Sequence, residues 1–373
     1  MKAWPILGIS IVQTLLCLAH WFLYSTFLDF WWPLSALATQ SLRLSFVALS
    51  FLFMIAAVLS FRLANGFVAL LYQVACIWLG LLNFFFWAAC LAWLTDLALR
   101  VILPAPMHIE IRPWLAASLL CLVSAGSVYG LLNARRVKLR RVPVKIAHLP
   151  RVWVGRTALV VSDIHLGNIN GARFARRLAD MARRLNPDVI FIPGDLFDGT
   201  KVNADKIAAP LYALSPPLGV YFVTGNHEEF GGAKQYCDAL RRAGFHVLDD
   251  KRTEVDGLII AGVGYRTSTH MIQLRHLLTS LNLKEGTPSI LLQHVPNRLP
   301  MIEQAGASLL LSGHTHCGQV FPFTLIARRA FGEFTYGLHS FGALRVYTSS
   351  GAGTWGPPMR VGTHSEIVLL TFE

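Results

Sequence analysis

Residues 3–28 carry no formal charge and are dominated by Leu, Ile, Ala and aromatic side chains. A run of that length suffices to cross a bilayer, which takes about 20 apolar residues. It is too long for a cleaved signal peptide and has no small-x-small end. Three more uncharged runs follow, over residues 44–61, 63–95 and 114–133. The sequence therefore predicts an N-terminal all-α transmembrane bundle of about four helices over residues 1–133. The third run is over-long, which leaves an extra crossing or a tilted helix open. Phe30-Trp31-Trp32-Pro33 resembles an interfacial aromatic belt. Tyr72, Gln73 and Asn83 in the third run are either functional polar groups or, more commonly, bridges between helices.

The formal net charge of +12 is unevenly placed. It is +2 over residues 1–133 and +2 again from residue 158, whereas residues 134–157 hold eight Lys/Arg and no acid. The basic character belongs to a juxtamembrane connector rather than to a nucleic-acid-binding face, so no nucleic-acid partner is expected. Arg135, Arg136, Lys138, Arg140, Arg141 and Lys145 directly follow the fourth run, which puts that end in the cytoplasm. With four crossings, Lys2 and the short second loop with Arg62 are inside too, against Arg43, Arg100 and Arg112 in the opposing loops. A fifth crossing would move only the N-terminus. The expected location is an inner or plasma membrane, crossed several times, with the second half facing the cytoplasm. The connector either sets topology alone or also binds anionic head groups, which makes membrane lipids expected partners. Six cysteines show no pairing pattern or CxxC, so no disulfide framework is implied. Cys317 reads as a small turn residue rather than a ligand.

From residue 158 the texture changes. Apolar strand-like segments (158–162, 189–192, 220–223, 245–248, 258–262, 289–292, 307–311, 344–348, 366–372) alternate with helical ones (172–185, 204–214, 232–243, 272–281). Such alternation means an α/β domain whose sheets are covered on their faces, here over residues 158–373. In these domains functional groups gather at the carboxyl ends of strands.

Five short motifs stand at those ends: Asp163-Ile164-His165, Gly194-Asp195-Leu196-Phe197-Asp198, Gly225-Asn226-His227-Glu228, His294, and Gly313-His314-Thr315-His316. In the last, two imidazoles one residue apart on an extended segment face one cavity. Alone a His-x-His is weak. Carboxylate, amide oxygen and imidazole at five converging ends suit a dinuclear site of divalent ions. Isolated buried Asp163 and Asp195 would be costly, whereas two cations stabilise both.

This set resembles that of the calcineurin-like metallophosphoesterases, and the resemblance covers roughly residues 158–373. Gly318-Gln319, Tyr336-Gly337-Leu338, the stretch 349–353 and the final strand are similar to the membrane-anchored branch, transmembrane proteins with a metallophosphoesterase domain. Cys317, where that branch often has Gly, and His364-Ser365, where Pro is frequent, depart from it; neither touches a ligand position. The resemblance implies a β-sandwich flanked by helices and two divalent ions (Mn, Zn or Fe). It implies that Asp163, His165 and His316 hold one ion and Asn226, His294 and His314 the other, with Asp195 bridging. Asp195, Asn226 and His227 would be catalytic, His227 as acid or phosphate ligand, or else as an orienting neighbour. Asp198 reads as a supporting partner.

The expected activity is cleavage of a phosphodiester or pyrophosphate by metal-activated water, on a substrate that four membrane helices make plausibly amphiphilic. The rivals are a broad phosphomonoesterase and a non-catalytic scaffold; the scaffold expects missing ligands. The near absence of intramembrane charge disfavours a transport route. Arg173, Arg176, Arg177, Arg183 and Arg184 form either a solvated helix face or a patch for anionic lipid or substrate. The stretch 321–331 reads as a packed loop or one dipping into the interface.

Overall fold

The computed structural model describes residues 3–31 and 33–373. Lys2 and Trp32, used above for topology and the aromatic belt, lie outside the described residues. The chain divides into two compact units. A helical one ends at Leu131 and takes in Gly356–Met359, and an α/β one comprises Leu132–Trp355 and Arg360–Glu373.

The apolar runs form α1 (Ala3–Phe30), α2 (Ala36–Arg62), α3 (Gly66–Ile102) and α4 (Ala105–Ala134). Among the described residues these four are long and apolar enough to cross a membrane. The over-long third run is a single helix of 37 residues, about 55 Å at 1.5 Å per residue. Ser35 and Asn65 cap α2 and α3 by accepting from Ala38 N–H and Val68 N–H, as N-cap side chains do. Connections are so short that Arg43, Arg100 and Arg112, read above as loop residues, are helical. Arg100 and Arg112, with His108, surround the buried Asp96 carboxylate at 2.7–2.9 Å, which links α3 to α4. Trp78 donates to His20 and Trp93 to Thr26, both at 2.9 Å, which links α1 to α3.

In the α/β unit the strands are β1 (Lys138–Val144), β2 (Thr157–Val160), β3 (Val189–Pro193), β4 (Val220–Val223), β5 (His246–Val247), β6 (Lys251–Val255), β7 (Leu258–Val263), β8 (Ser289–Gln293), β9 (Leu309–Ser312), β10 (Gly337–Phe341), β11 (Leu344–Thr348) and β12 (Glu366–Phe372). They form two six-stranded sheets, ordered β1-β12-β2-β3-β4-β5 and β10-β11-β9-β8-β7-β6. The helices are α5 (Ala172–Leu185), α6 (Ala204–Tyr212), α7 (Asn226–Gly231), α8 (Ala233–Arg242), α9 (Tyr265–Thr269), α10 (Met271–Leu281), α11 (Leu299–Gln304) and α12 (Phe323–Phe331).

The period-two rule explains the layering. Ala158 and Val160 of β2 pack with Ile260, Ile290 and Leu311 in a core between the sheets. Leu159 and Val161 point the other way, onto Leu178 of α5 and Leu240 of α8. Ile259, Leu291 and Leu310 turn outward onto Leu274 of α10 and Ile302 of α11. Both faces of each sheet are thus buried, a β-sandwich flanked by helices. That is why central strands read as continuous apolar runs rather than alternating ones.

Strands β6 and β10 and the short helices α7, α9 and α11 were not read in the sequence, and two further segments differ from its reading. The basic stretch contains β1, an edge strand parallel to β12, with four exposed residues before Val142 turns inward. Residues 323–331 are helix α12, not loop. Trp153, also in the basic stretch, is fully buried between the sheets. Its indole N–H donates to Val255 O at 3.0 Å and its ring meets Phe372 edge-on at 5.6 Å. Trp153→Phe loses that bond and part of its volume. It is expected to cost about 1–2 kcal/mol, read as a lower thermal midpoint of the α/β unit with turnover unchanged below it.

Candidate metal centre

The loops leaving β2, β3, β4, β8 and β9 converge at one end of the sandwich, with Asp163, Asp195, Asn226, His294 and His314 each within four residues of a strand end. Their backbones are unusual. Asp163, His165, Asp195, His314 and His316 all have φ between 46° and 68°. A non-glycine residue there costs about 1–2 kcal/mol, and such strain persists only where surroundings over-determine it. Here they do. His165 N–H donates to Asp195 O at 3.0 Å, Gly313 N–H to His294 O at 2.9 Å, and Asp163 N–H to Gly194 O at 3.2 Å. Gly313 is required by proximity: a Cβ there would lie 2.1 Å from Asp163 Oδ2. The same holds for Gly225, whose Cβ would meet Asp195 Oδ1 at 2.1 Å.

Two overlapping groups of side chains result. In one, His165 Nε2 lies 3.0 Å from His316 Nε2, which lies 3.5 Å from Asp163 Oδ1. In the other, His294 Nε2 lies 3.1 Å from Asp195 Oδ2, and Asn226 Oδ1 lies 3.2 Å from His294 Nε2 and 3.0 Å from His314 Nδ1. Asp195 Oδ2 is also 3.7 Å from His165 Nε2. All seven sequence-predicted ligands are therefore brought together, and Asp195 stands between the groups.

The electrostatics fit a cation. Burial, then the neighbouring His227, holds His165 well below the usual imidazole range, and burial with His165 does the same to His316. Burial also brings His314 down to about 4. These shifts favour neutral rings, and His165 Nε2, His316 Nε2 and His314 Nδ1 are the nitrogens that converge. Burial pushes Asp163 up to about 6. Although burial opposes it, His294 holds the Asp195 carboxyl far below the usual carboxylate range and is itself raised to about 9 by Asp195. Convergent neutral imidazole nitrogens with an amide oxygen and two buried carboxylates are the donor set of a divalent metal site. His294 further shows the outer bond typical of a ligating imidazole, its Nδ1 donating to Pro193 O at 2.9 Å.

His227 is held differently. Its Nδ1 donates to Asp198 O at 2.9 Å and its ring meets His165 edge-on at 4.6 Å. This leaves Nε2 as the other ring nitrogen, and the Trp355 and Phe230 rings lie with their centroids 5.7 Å and 5.1 Å from that of the imidazole. Asp198 Oδ1 sits 3.8 Å from both His165 Nδ1 and His227 Nδ1, a supporting position rather than one among the convergent donors.

Two residues of the site were missed in the sequence. Glu228, quoted in its motif without a role, is buried and accepts from Asp195 N–H (3.0 Å), Phe197 N–H (2.9 Å) and Gly225 N–H (2.7 Å). Burial pushes it up to about 8 against those donors. Arg360 is fully buried. It donates to Ser350 O at 2.6 Å, Gly353 O at 2.7 Å and His316 O at 3.2 Å. It thereby fixes the glycine-rich loop 349–353 under Asp163, where Gly353 N–H donates to Asp163 O at 2.8 Å. Glu228 had a signal in its motif spacing; Arg360 had none.

The family model described as calcineurin-like phosphoesterase matches residues 156–318. A transmembrane protein with metallophosphoesterase domain from Danio rerio is 33% identical over 272 residues, 68% of this chain and 62% of the relative. The chain thus spans under two thirds of that relative's length. An uncharacterized metallophosphoesterase of Campylobacter jejuni is 30% identical over 260 residues, 68% of each chain. One from Aquifex aeolicus is 35% identical over 222 residues, 57% of this chain and 83% of the relative.

Proposed function

Since the chain belongs to the calcineurin-like metallophosphoesterases, we propose that it is a membrane-anchored dimetal hydrolase cleaving phosphodiester or pyrophosphate bonds, with an amphiphilic substrate. The observation carrying this reading is Asp195, one carboxylate within reach of two groups of ligands. Asp163, His165 and His316 would hold one ion, Asn226, His294 and His314 the second, and Asp195 both. Ions so held supply Lewis acidity toward phosphoryl oxygens and lower the pKa of water. The protein's own part is to keep His165, His314 and His316 neutral and convergent, and to present His227. With Nδ1 committed to Asp198 O, Nε2 of His227 is the nitrogen left to serve the leaving oxygen as proton donor. The four apolar helices and the basic stretch after them favour a multi-pass anchor with the catalytic unit on the cytoplasmic side.

The test is hydrolysis of bis-para-nitrophenyl phosphate by the purified full chain with Mn, Zn or no added metal. Metal-dependent turnover is expected, lowered roughly 100-fold in His227→Ala, the lower end for loss of a general acid. Faster turnover of the para-nitrophenyl monoester would replace this reading with a phosphomonoesterase. No turnover with metal demonstrably bound would sink the assignment on simple phosphoesters. Digestion of the α/β unit by protease added outside intact cells would overturn the orientation.

A further inference from the structure

The exposed apolar side chains of the α/β unit are densest around α12. Phe321 and Phe323 are 49% exposed, Leu325 59% and Ile326 60%. Thr324, Ala327 and Phe331, at the i, i+3, i+7 spacing of one helix face, are the half-buried ones; Leu325, Ile326 and Arg329 turn outward. Arg328 and Arg329 close the helix and it contains no acid. An outward face of two aliphatics flanking an arginine is poor design for water. It suits the boundary between head groups and acyl chains, where the stem lies in the apolar layer and the guanidinium reaches phosphate.

Position within the unit supports this. Asn133, two residues past the end of the helical unit, donates to Arg360 O and Thr363 O, both at 2.9 Å. The segment so tied carries the start of α12: Phe321 N–H donates to Val361 O at 3.1 Å, and Val361 N–H to Gln319 O at 3.2 Å. The helix therefore starts from the segment that Asn133 holds. Its other end reaches the metal centre, where the Phe331 ring meets His314 edge-on at 6.2 Å. A second protein is a poorer occupant. One face of a nine-residue helix, about 13 Å long, falls well short of the roughly 800 Å² per partner of a stable protein interface.

We propose that α12 docks on an anionic lipid bilayer, with Leu325, Ile326 and Phe323 entering the head-group boundary and Arg328 and Arg329 meeting lipid phosphates. The metal centre is then held at the level where lipid-borne phosphoesters lie. This rests on α1–α4 crossing a bilayer, not on the hydrolase assignment. The test uses the full chain in vesicles of phosphatidylcholine with or without phosphatidylglycerol. A photoreactive benzophenone residue is placed by Ile326→p-benzoylphenylalanine, or, as control, by Glu254→p-benzoylphenylalanine on β6, at the opposite edge of its sheet from β10.

Irradiation is expected to give lipid adducts from position 326 but not from 254, with phosphatidylglycerol preferred. Arg328→Gln with Arg329→Gln should lower the yield on phosphatidylglycerol vesicles at least ~5-fold. Adducts to a second copy of the chain, no lipid adduct at 326, or equal lipid adducts at 254 would overturn the proposal. Alkaline carbonate on the same vesicles separates the two premises. A chain stripped off sinks both, and a retained chain without the adduct at 326 sinks only the docking.

Discussion

Asp195→Asn is expected to remove metal-dependent turnover down to the metal-free background. It should also lower bound metal and, with the buried Asp195–His294 pair lost, the unfolding temperature of the α/β unit, the fold being kept. The substitution is close to isosteric, and asparagine tolerates the left-handed φ of 53° at this position as well as aspartate does. The remaining amide oxygen can still accept from His227 N–H, 2.9 Å away in the present structure. What changes is the other atom. An NH2 group would face His294 Nε2 at 3.1 Å and His165 Nε2 at 3.7 Å, so two groups of donors lose their shared anion. Loss of an outer-shell partner alone typically costs 10–100-fold in metal affinity or activity. Loss of the carboxylate common to both groups should exceed that range. Turnover of bis-para-nitrophenyl phosphate and metal content by mass spectrometry read the two effects separately. A variant that keeps its full metal complement and rate would refute the place given to Asp195.

The contrast between what the sequence made legible and what it hid has a physical basis. Asp163, His165, Asp195, Asn226, His294, His314 and His316 could be read because each sits on a short motif fixed to the end of an apolar strand, and strand ends converge in a sheet covered on both faces. Strand β1 could not, because Lys138 to Arg141 are all exposed at the sheet edge. Edge strands are protected by charge, and charge after a membrane helix also reads as a topology signal. Helix α12 was hidden by its length of nine residues and by an apolar pattern that buries nothing fully. Arg360 was hidden by distance: the carbonyls it bonds belong to residues 7 to 44 positions away. Its role follows from the packed fold, not from local pattern.

Glu228 supplies the second large effect, and it tests the backbone of the site rather than its donors. One carboxylate accepts three buried N–H groups, Asp195 and Gly225 on one oxygen and Phe197 on the other. It thereby ties the loop after β3 to the loop after β4. In Glu228→Gln the amide oxygen can serve the Asp195 and Gly225 pair. Its NH2 then confronts Phe197 N–H, leaving both that donor and the new amide N–H unmet, at about 1–3 kcal/mol each. In Glu228→Ala all three donors are orphaned, so the loss should be roughly 3 kcal/mol or more. Asp195 would also lose the anchor for its strained φ. The glutamine variant is therefore expected to fold with a lowered thermal midpoint and weakened metal binding. The alanine variant should be inactive and far less stable, or unfolded. Thermal unfolding of the detergent-solubilised chain, beside metal titration of the glutamine variant, checks the order. Equal midpoints for wild type, Gln and Ala would mean that the three N–H groups find other partners and that the two loops are not held by this side chain.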